Sequence, residues 1–157
     1  MALQNKVGLY SAPAVAGTRA STNQSIYTAT GYLAEGEVKT GSFVFHHSEG
    51  KASATKEGAT SVLGLVERVI AYYNPDVRSD ATSDIADGEA LTIAVKGDYH
   101  IVAPAQATYK QAVFINPKTG DVSLAAAGGT VADSIDTGWR VEHDGNEGDI
   151  IIISNWE

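Results

Sequence analysis

The sequence predicts an all-β protein, arranged as a single β-sandwich or jelly-roll-like barrel with an extended N-terminal arm. From Leu63 to Trp156, short apolar runs alternate with turns rich in Gly, Asn and Asp, as strands of a compact β domain do. Residues 1–30 follow no such pattern, since their apolar side chains are isolated among Ala, Ser, Thr and Asn. We therefore expect an arm over residues 1–30 and a β domain over residues 31–157.

The length and composition allow one core. A chain of 157 residues, 43% of them hydrophobic, is expected to bury roughly 70% of its unfolded surface in one domain. The absence of cysteine excludes disulfides, thiolate chemistry and cysteine-ligated metals. No repeat of fixed length occurs, so propellers and solenoids are not expected.

The charge balance disfavours two classes of partner. The chain has 11 basic and 19 acidic residues and a pI near 4.9. Binding to nucleic acid or to an anionic membrane would need a basic face. There is no apolar run long enough to cross a bilayer and no secretory signal, so we expect the protein to be made and used without membrane targeting.

The first half of the domain is predicted to contain two short strands and a central strand. Residues 31–45 suggest two strands joined around Gly36 and Gly41. A polar surface loop over residues 46–61 leads into the apolar run 62–73. A strand is preferred to a helix there because Gly64 and several β-branched residues disfavour a helix.

The second half begins with a long loop and ends with paired strands. Residues 74–87 are predicted to form the loop, and Leu91–Val95 a strand with Leu91, Ile93 and Val95 on one face. A turn at residues 96–98 then makes a hairpin or a strongly bent strand. A hairpin is predicted over residues 113–124, and residues 138–142 and 149–156 should pair to close the sheet.

Candidate metal ligands occur in two places. His46, His47 and Glu49 are close in sequence, but adjacent side chains of an extended segment point to opposite faces, which favours a solvated strand end. Residues 143–149 resemble a calcium loop in composition. They lack its twelve-residue spacing and terminal Glu, so a polar hairpin turn is preferred.

Catalytic and cofactor motifs are equally weak. The carboxylates between Asp76 and Glu89 lie in a loop with almost nothing apolar to raise a pKa, and no Ser lies in a Gly-x-Ser-x-Gly turn. Gly128 and Gly129 are not followed by the Lys-Ser or Lys-Thr of a phosphate loop. We therefore predict no catalytic, cofactor-binding or metal-binding residues and no cofactor.

The order of four segments resembles the structural cement proteins of tailed bacteriophages. These segments are GLVERVI, GEALTIAVKGDYHIVA, QAVFINPKTGDVS and DTGWRVEHDGNEGDIIIISNW, and the likeness spans roughly residues 30–157. It implies a non-enzymatic protein that decorates the outside of the virion capsid after synthesis in the host cytoplasm. The implied partners are the major capsid protein and further copies of this chain, as a homodimer or homotrimer.

The arm is the predicted source of partner contacts. Ordering an extended segment costs about 1–2 kcal/mol per residue, so it should become ordered only where binding buries its apolar side chains. The candidate contact residues are Leu3, Val7, Leu9, Tyr10, Val15, Ile26 and Tyr27.

Two other function classes stay open. Trp139 and Trp156 are expected in core or interface packing, but a carbohydrate-binding module could use Trp139, Tyr72, Tyr73 and Tyr99 as a stacking platform. A β-fold hydrolase would need the acidic loop between Asp76 and Glu89 to line a pocket.

Overall fold

The computed structural model describes residues 14–69 and 84–156. These residues contain fourteen strands and no helix, which confirms the all-β prediction. The strands are β1 (Ile26–Tyr27), β2 (Tyr32–Ala34), β3 (Val38–Lys39), β4 (Phe43–Ser48), β5 (Lys51–Ser53), β6 (Gly64–Val66), β7 (Asp84–Ile85), β8 (Ala90–Leu91), β9 (Ile93–Lys96), β10 (Asp98–Val102), β11 (Ala112–Ile115), β12 (Val122–Ala125), β13 (Ile135–Val141) and β14 (Ile150–Ser154).

The strands form two large sheets and one small one. The seven-stranded sheet has the order β1-β9-β6-β4-β5-β2-β8, the five-stranded sheet the order β10-β14-β13-β11-β12, and β3 pairs with β7. All pairs are antiparallel except β2 with β5. The arrangement is sandwich-like, and within the described residues the sheets do not close into a barrel.

The main core lies between the two large sheets. Phe43 and Leu65 from the seven-stranded sheet meet Tyr99, Trp139 and Ile151 from the five-stranded sheet, and all are buried. Trp139 makes edge contacts with Phe43 and Tyr99, at centroid distances of 6.1 and 5.9 Å. Such an aromatic pair stabilises the fold by about 0.5–1.5 kcal/mol beyond the contribution of its buried area.

A second core covers the other face of the seven-stranded sheet. Side chains alternate between faces along a strand, so Val44 and Val66 lie in this core while their neighbours Phe43 and Leu65 lie in the main one. Ile85 of the small sheet also lies in the second core. A sheet covered on both faces explains why its central strands are apolar runs without polar alternation.

The two predicted C-terminal pairings are confirmed. β11 and β12 form the predicted hairpin, with Ile115 opposite Val122, and Asn116 Oδ1 accepts a hydrogen bond of 2.9 Å from the Lys118 amide in its turn. β13 and β14 pair with Val141 opposite Ile153.

The alternative of a hairpin around residues 96–98 is wrong, and the strongly bent strand is correct. β9 ends in the seven-stranded sheet and β10 begins in the five-stranded sheet, so the chain changes sheet at Gly97. Gly97 has a φ of 150°, and a Cβ there would lie 2.7 Å from the Tyr99 ring and 2.8 Å from Ser25 Oγ. The bend therefore requires glycine.

Two other predictions are modified. The run 62–73 contains the predicted strand only at Gly64–Val66, and its residues 70–73 lie outside the described residues. In the predicted loop 74–87, Asp84 and Ile85 form β7, because Ile85 is fully buried opposite Val38 of β3. The rest of that loop, up to residue 83, is outside the described residues.

Candidate functional site

Part of the predicted arm lies along its own domain. The Gly17 amide donates to His100 O at 2.8 Å, the His100 amide donates to Thr18 O at 2.9 Å, and the Ala20 amide donates to Asp98 O at 2.8 Å. Residues 17–20 thus run antiparallel to β10 and cover its free edge. The domain boundary at residue 30 stays a prediction, but the chain is already attached to the domain from Gly17 onward.

A buried polar cluster fixes the next part of this segment. The Tyr99 hydroxyl donates to Glu67 Oε2 at 2.8 Å and lies 2.8 Å from Ser25 Oγ, whose own hydroxyl can donate in return. Arg19 Nε donates to the other Glu67 oxygen at 3.1 Å. Burial raises the pKa of Tyr99 well above its ordinary value, so the phenol stays protonated and remains a donor.

Asp98 holds the segment to the C-terminal end of the chain. Its carboxylate accepts hydrogen bonds from Ser21 Oγ (2.5 Å), Asn23 Nδ2 (2.7 Å) and Trp156 Nε1 (3.0 Å). Partial burial opposes ionisation, but the hydrogen bonds from Ser21, Ser154, Asn23 and Trp156 outweigh it and lower the pKa of Asp98. The hydrogen bond to Asp98 therefore fixes the indole of Trp156 in place beside β1.

These contacts create an exposed apolar surface at the edge of the seven-stranded sheet. Ile26, Tyr27 and Trp156 are 50%, 38% and 42% exposed. They line an open groove of about 760 Å³, which we call the β1 groove; its other lining residues are Asn23, Gln24 and Ser25. Large apolar side chains grouped on a surface and rimmed by polar ones are typical of protein-binding sites.

The structure brings together two of the seven predicted contact residues. Ile26 and Tyr27 share the β1 groove, while Val15 is 45% exposed but does not line it. Leu3, Val7, Leu9 and Tyr10 lie outside the described residues.

Trp156 belongs to this surface but was not among the predicted contact residues. Both tryptophans were expected in core or interface packing, and the structure separates them, since Trp139 is 1% exposed and Trp156 is 42% exposed. The available signal was position, because Trp156 lies just beyond the apolar run 150–154, whereas Trp139 lies inside a strand.

The side chains weighed as metal ligands lie at the end of β4 and in the turn between β13 and β14. His46 and His47 are exposed on β4. Asp149 Oδ2 accepts from the Asn146 amide at 2.9 Å, which confirms a polar turn at residues 143–149. Within residues 14–69 and 84–156, no three His, Asp or Glu side chains are arranged to hold a metal ion.

The acidic loop is described only at its end. Asp84 pairs with Lys39 at 3.7 Å, and Asp87 Oδ1 accepts from the Gly36 amide at 2.8 Å. These carboxylates hold β3 and the turn before it. Asp76 and Asp80 lie outside the described residues.

No helix that is long and apolar enough to cross a membrane occurs in the described parts of the chain.

Comparison with protein families decides the relationship of this chain. Residues 3–155 match the family described as structural cement protein (E217 gp24/Pam3 gp6). The chain belongs to this family. It is thus a structural protein of a phage particle, and the match includes most of the predicted arm as well as the domain.

One solved structure shares the fold of this cement protein. A chain of the capsid of Myoviridae phage XM1 superposes with a TM-score of 0.65 at 12% identity, over 98% of this chain and 97% of the other. The head fibre gp8.5 N base of bacteriophage phi29 gives a TM-score of 0.43 at 10% identity, over 84% of this chain and 99% of the other, and supports no conclusion. A comparison with curated protein sequences gives no significant match.

The stacking platform considered for carbohydrate binding is wrong for two of its four residues. Trp139 and Tyr99 are 1% and 0% exposed in the main core, so a sugar ring cannot stack on them. Tyr72 and Tyr73 lie outside the described residues.

Proposed function

We propose that this cement protein is non-enzymatic, binds the outer surface of the assembled icosahedral head and clamps neighbouring major capsid subunits as a homodimer or homotrimer. Membership of the cement family supports a structural role. The observation that carries the proposal is the β1 groove, where Ile26, Tyr27 and Trp156 form an exposed apolar surface on an anchored segment.

The β1 groove has the composition of a protein-binding surface. Fully burying one large apolar side chain contributes about 1.5–3 kcal/mol, so side chains that are about half exposed still offer roughly 1 kcal/mol each. Asn23 and Gln24 on the rim supply amides for hydrogen bonds. These gains are modest for one site, but many copies on one shell add them together.

The anchoring contacts favour binding with little rearrangement. Ser25, next to Ile26, is held by Tyr99, and Trp156 is held by Asp98. Side chains fixed before binding lose less conformational entropy when the partner arrives. Fixed contact side chains suit a clamp, because they hold the two subunits that it joins in one relative geometry.

The charge supports protein rather than nucleic-acid or membrane partners. The net charge of −8 would repel both phosphate backbones and anionic lipids. The proposal that the protein is not an enzyme rests on the family and on the structural use of the described carboxylates, such as Asp98 and Asp149.

The test is co-sedimentation of the full chain with capsids that lack it. We expect the wild-type protein to pellet with assembled shells, and Ile26→Asp to weaken the binding by at least about tenfold, which is about 1.4 kcal/mol. Leu33→Asp is the matched control, since Leu33 is 45% exposed in the same sheet but on β2, five strands away from β1. Failure of the wild-type chain to bind shells, or equal loss in both variants, would contradict the proposal.

A further inference from the structure

The outer edge of β1 is open in the described structure. Among the described strands β1 pairs only with β9, with Ile26 opposite Lys96 and Tyr27 opposite Ala94. Its neighbours in sequence, Asn23 to Ser25, extend the wall of the β1 groove. An extended segment can add to such an edge through main-chain hydrogen bonds while its side chains enter the groove.

The same chain contains a segment that suits this edge. In residues 1–13, Leu3, Val7 and Leu9 occupy odd positions and would share one face of an extended strand. Lys6 is the single charged side chain of this segment. The remaining 144 residues then hold 11 − 1 = 10 basic and 19 acidic side chains, a balance of −9. A basic segment and an acidic body attract each other.

The place where this segment joins the domain favours a neighbouring copy. Ala14 lines a surface cavity with Asp149, Ile150 and Ile152, at the Val102 end of β10. The β1 groove lies at the Asp98 end, beside Trp156. Followed backward from Gly17, the chain leads away from the groove, and residues 17–20 already occupy the edge of β10 between the two ends.

The length of the segment is sufficient for exchange between copies. Thirteen extended residues span up to about 45 Å, whereas a compact domain of this size has a radius of gyration of about 15 Å. Exchange of a terminal segment is an economical way to form oligomers, because each copy both gives and receives one.

We propose that residues 1–13 of one copy add to β1 of a second copy, with Leu3, Val7 and Leu9 directed into the β1 groove. This inference rests on the proposed function, whose homodimer or homotrimer it places at the β1 groove, so that Ile26→Asp would weaken shell binding through loss of the oligomer. The two can fail separately, because the exchange is tested on the full chain without capsids.

The lack of cysteine makes a direct test possible. Two full-length single variants, Val7→Cys and Gln24→Cys, are mixed, oxidised mildly and run on a non-reducing gel. We expect a disulfide-linked dimer well above the level that either variant gives alone. Ser48→Cys replaces Gln24→Cys in the control mixture, since Ser48 is also exposed but lies on β4, three strands away from β1.

The double variant Val7→Cys/Gln24→Cys separates exchange from folding back onto the same copy. Exchange predicts linked dimers or closed rings of higher mass, whereas closure within single chains would overturn the proposal. Equal linking with Gln24→Cys and Ser48→Cys would also overturn it. Sedimentation velocity supplies an independent measurement: the wild-type chain should be oligomeric and a chain lacking residues 1–13 monomeric, and an oligomer that survives the deletion contradicts the proposal.

Discussion

The backbones of Gly17 and Gly41 cross so closely that a Cβ atom on either residue would lie 2.7 Å from the amide nitrogen of the other. Both have positive φ, 84° and 78°. At this crossing Gly17 O accepts a hydrogen bond from the Arg68 amide, and the Gly41 amide donates to Val66 O, both at 2.8 Å. The crossing joins the start of the attached segment to the central strands of the seven-stranded sheet.

Replacing Gly17 by Ala should therefore destabilise the protein strongly. Positive φ costs a residue with a Cβ about 1–2 kcal/mol, and the overpacked crossing adds about 1–3 kcal/mol, so we expect a loss of about 2–5 kcal/mol. Urea denaturation measures it. Gly36→Ala is the control, since Gly36 has a φ of 77° but a Cβ added there would meet no described atom within 4 Å. This variant should lose only the part of the unfolding free energy that comes from the positive φ. Equal losses in the two variants would contradict the role of the crossing.

Removal of the Tyr99 hydroxyl should also destabilise the fold. In Tyr99→Phe the buried Glu67 carboxylate and the Ser25 hydroxyl lose a partner, which costs about 1–3 kcal/mol. Thermal or urea unfolding reads this out, with Tyr109→Phe as the control because Tyr109 is 60% exposed. A Tyr99→Phe variant as stable as the wild type would show that the polar cluster contributes little.

Stability should depend on pH through Asp98. Its folded-state pKa is held below the ordinary value of 3.8, so its contribution is present above about pH 4 and is lost as the pH falls through the folded-state pKa. Asp98→Asn should cost about 1 kcal/mol at pH 6, a figure kept small because Asp98 is only partly buried. The difference from wild type should shrink at pH 3. Asp121→Asn, at an exposed turn, is the control for removing one carboxylate, and a pH-independent effect of Asp98→Asn would refute the assignment.

The two tryptophans should respond differently to truncation. Trp139→Ala removes the centre of the main core and is expected to cost about 3–5 kcal/mol of unfolding free energy. Trp156→Ala should cost less than about 1.5 kcal/mol, mainly the hydrogen bond to Asp98, while weakening partner binding. Chemical denaturation and co-sedimentation together distinguish the roles. Unfolding of the domain by Trp156→Ala would contradict this assignment, because it would show that Trp156 is needed for the fold.

Features set by neighbouring residues could be predicted from the sequence, and features set by distant contacts could not. The hairpin of β11 and β12 follows from the turn at Asn116, and the β13–β14 pair from two apolar runs around a polar turn. The change of sheet at Gly97 depends on the packing of Tyr99 and Ser25, which lies 72 residues earlier than Gly97. Likewise β7 exists because Ile85 meets Val38 across 47 positions of the chain.

The candidate site shows the same division. Ile26 and Tyr27 were predicted as contact residues because they are apolar side chains in a polar segment. In the structure both line the groove at the open edge of β1. Trp156 joins them only because Asp98 accepts its indole N–H, a contact between residues 58 positions apart. No local pattern contains that information.

The path of residues 17–20 along β10 has a mechanical consequence. A pull on residues 1–13, directed away from the groove, acts along the axis of this antiparallel pairing. Its three main-chain hydrogen bonds, between Gly17 and His100, His100 and Thr18, and Ala20 and Asp98, then share the load in shear and do not open one after another. Tension between neighbouring copies would therefore pass into the five-stranded sheet through β10, at the short stretch where the arm begins.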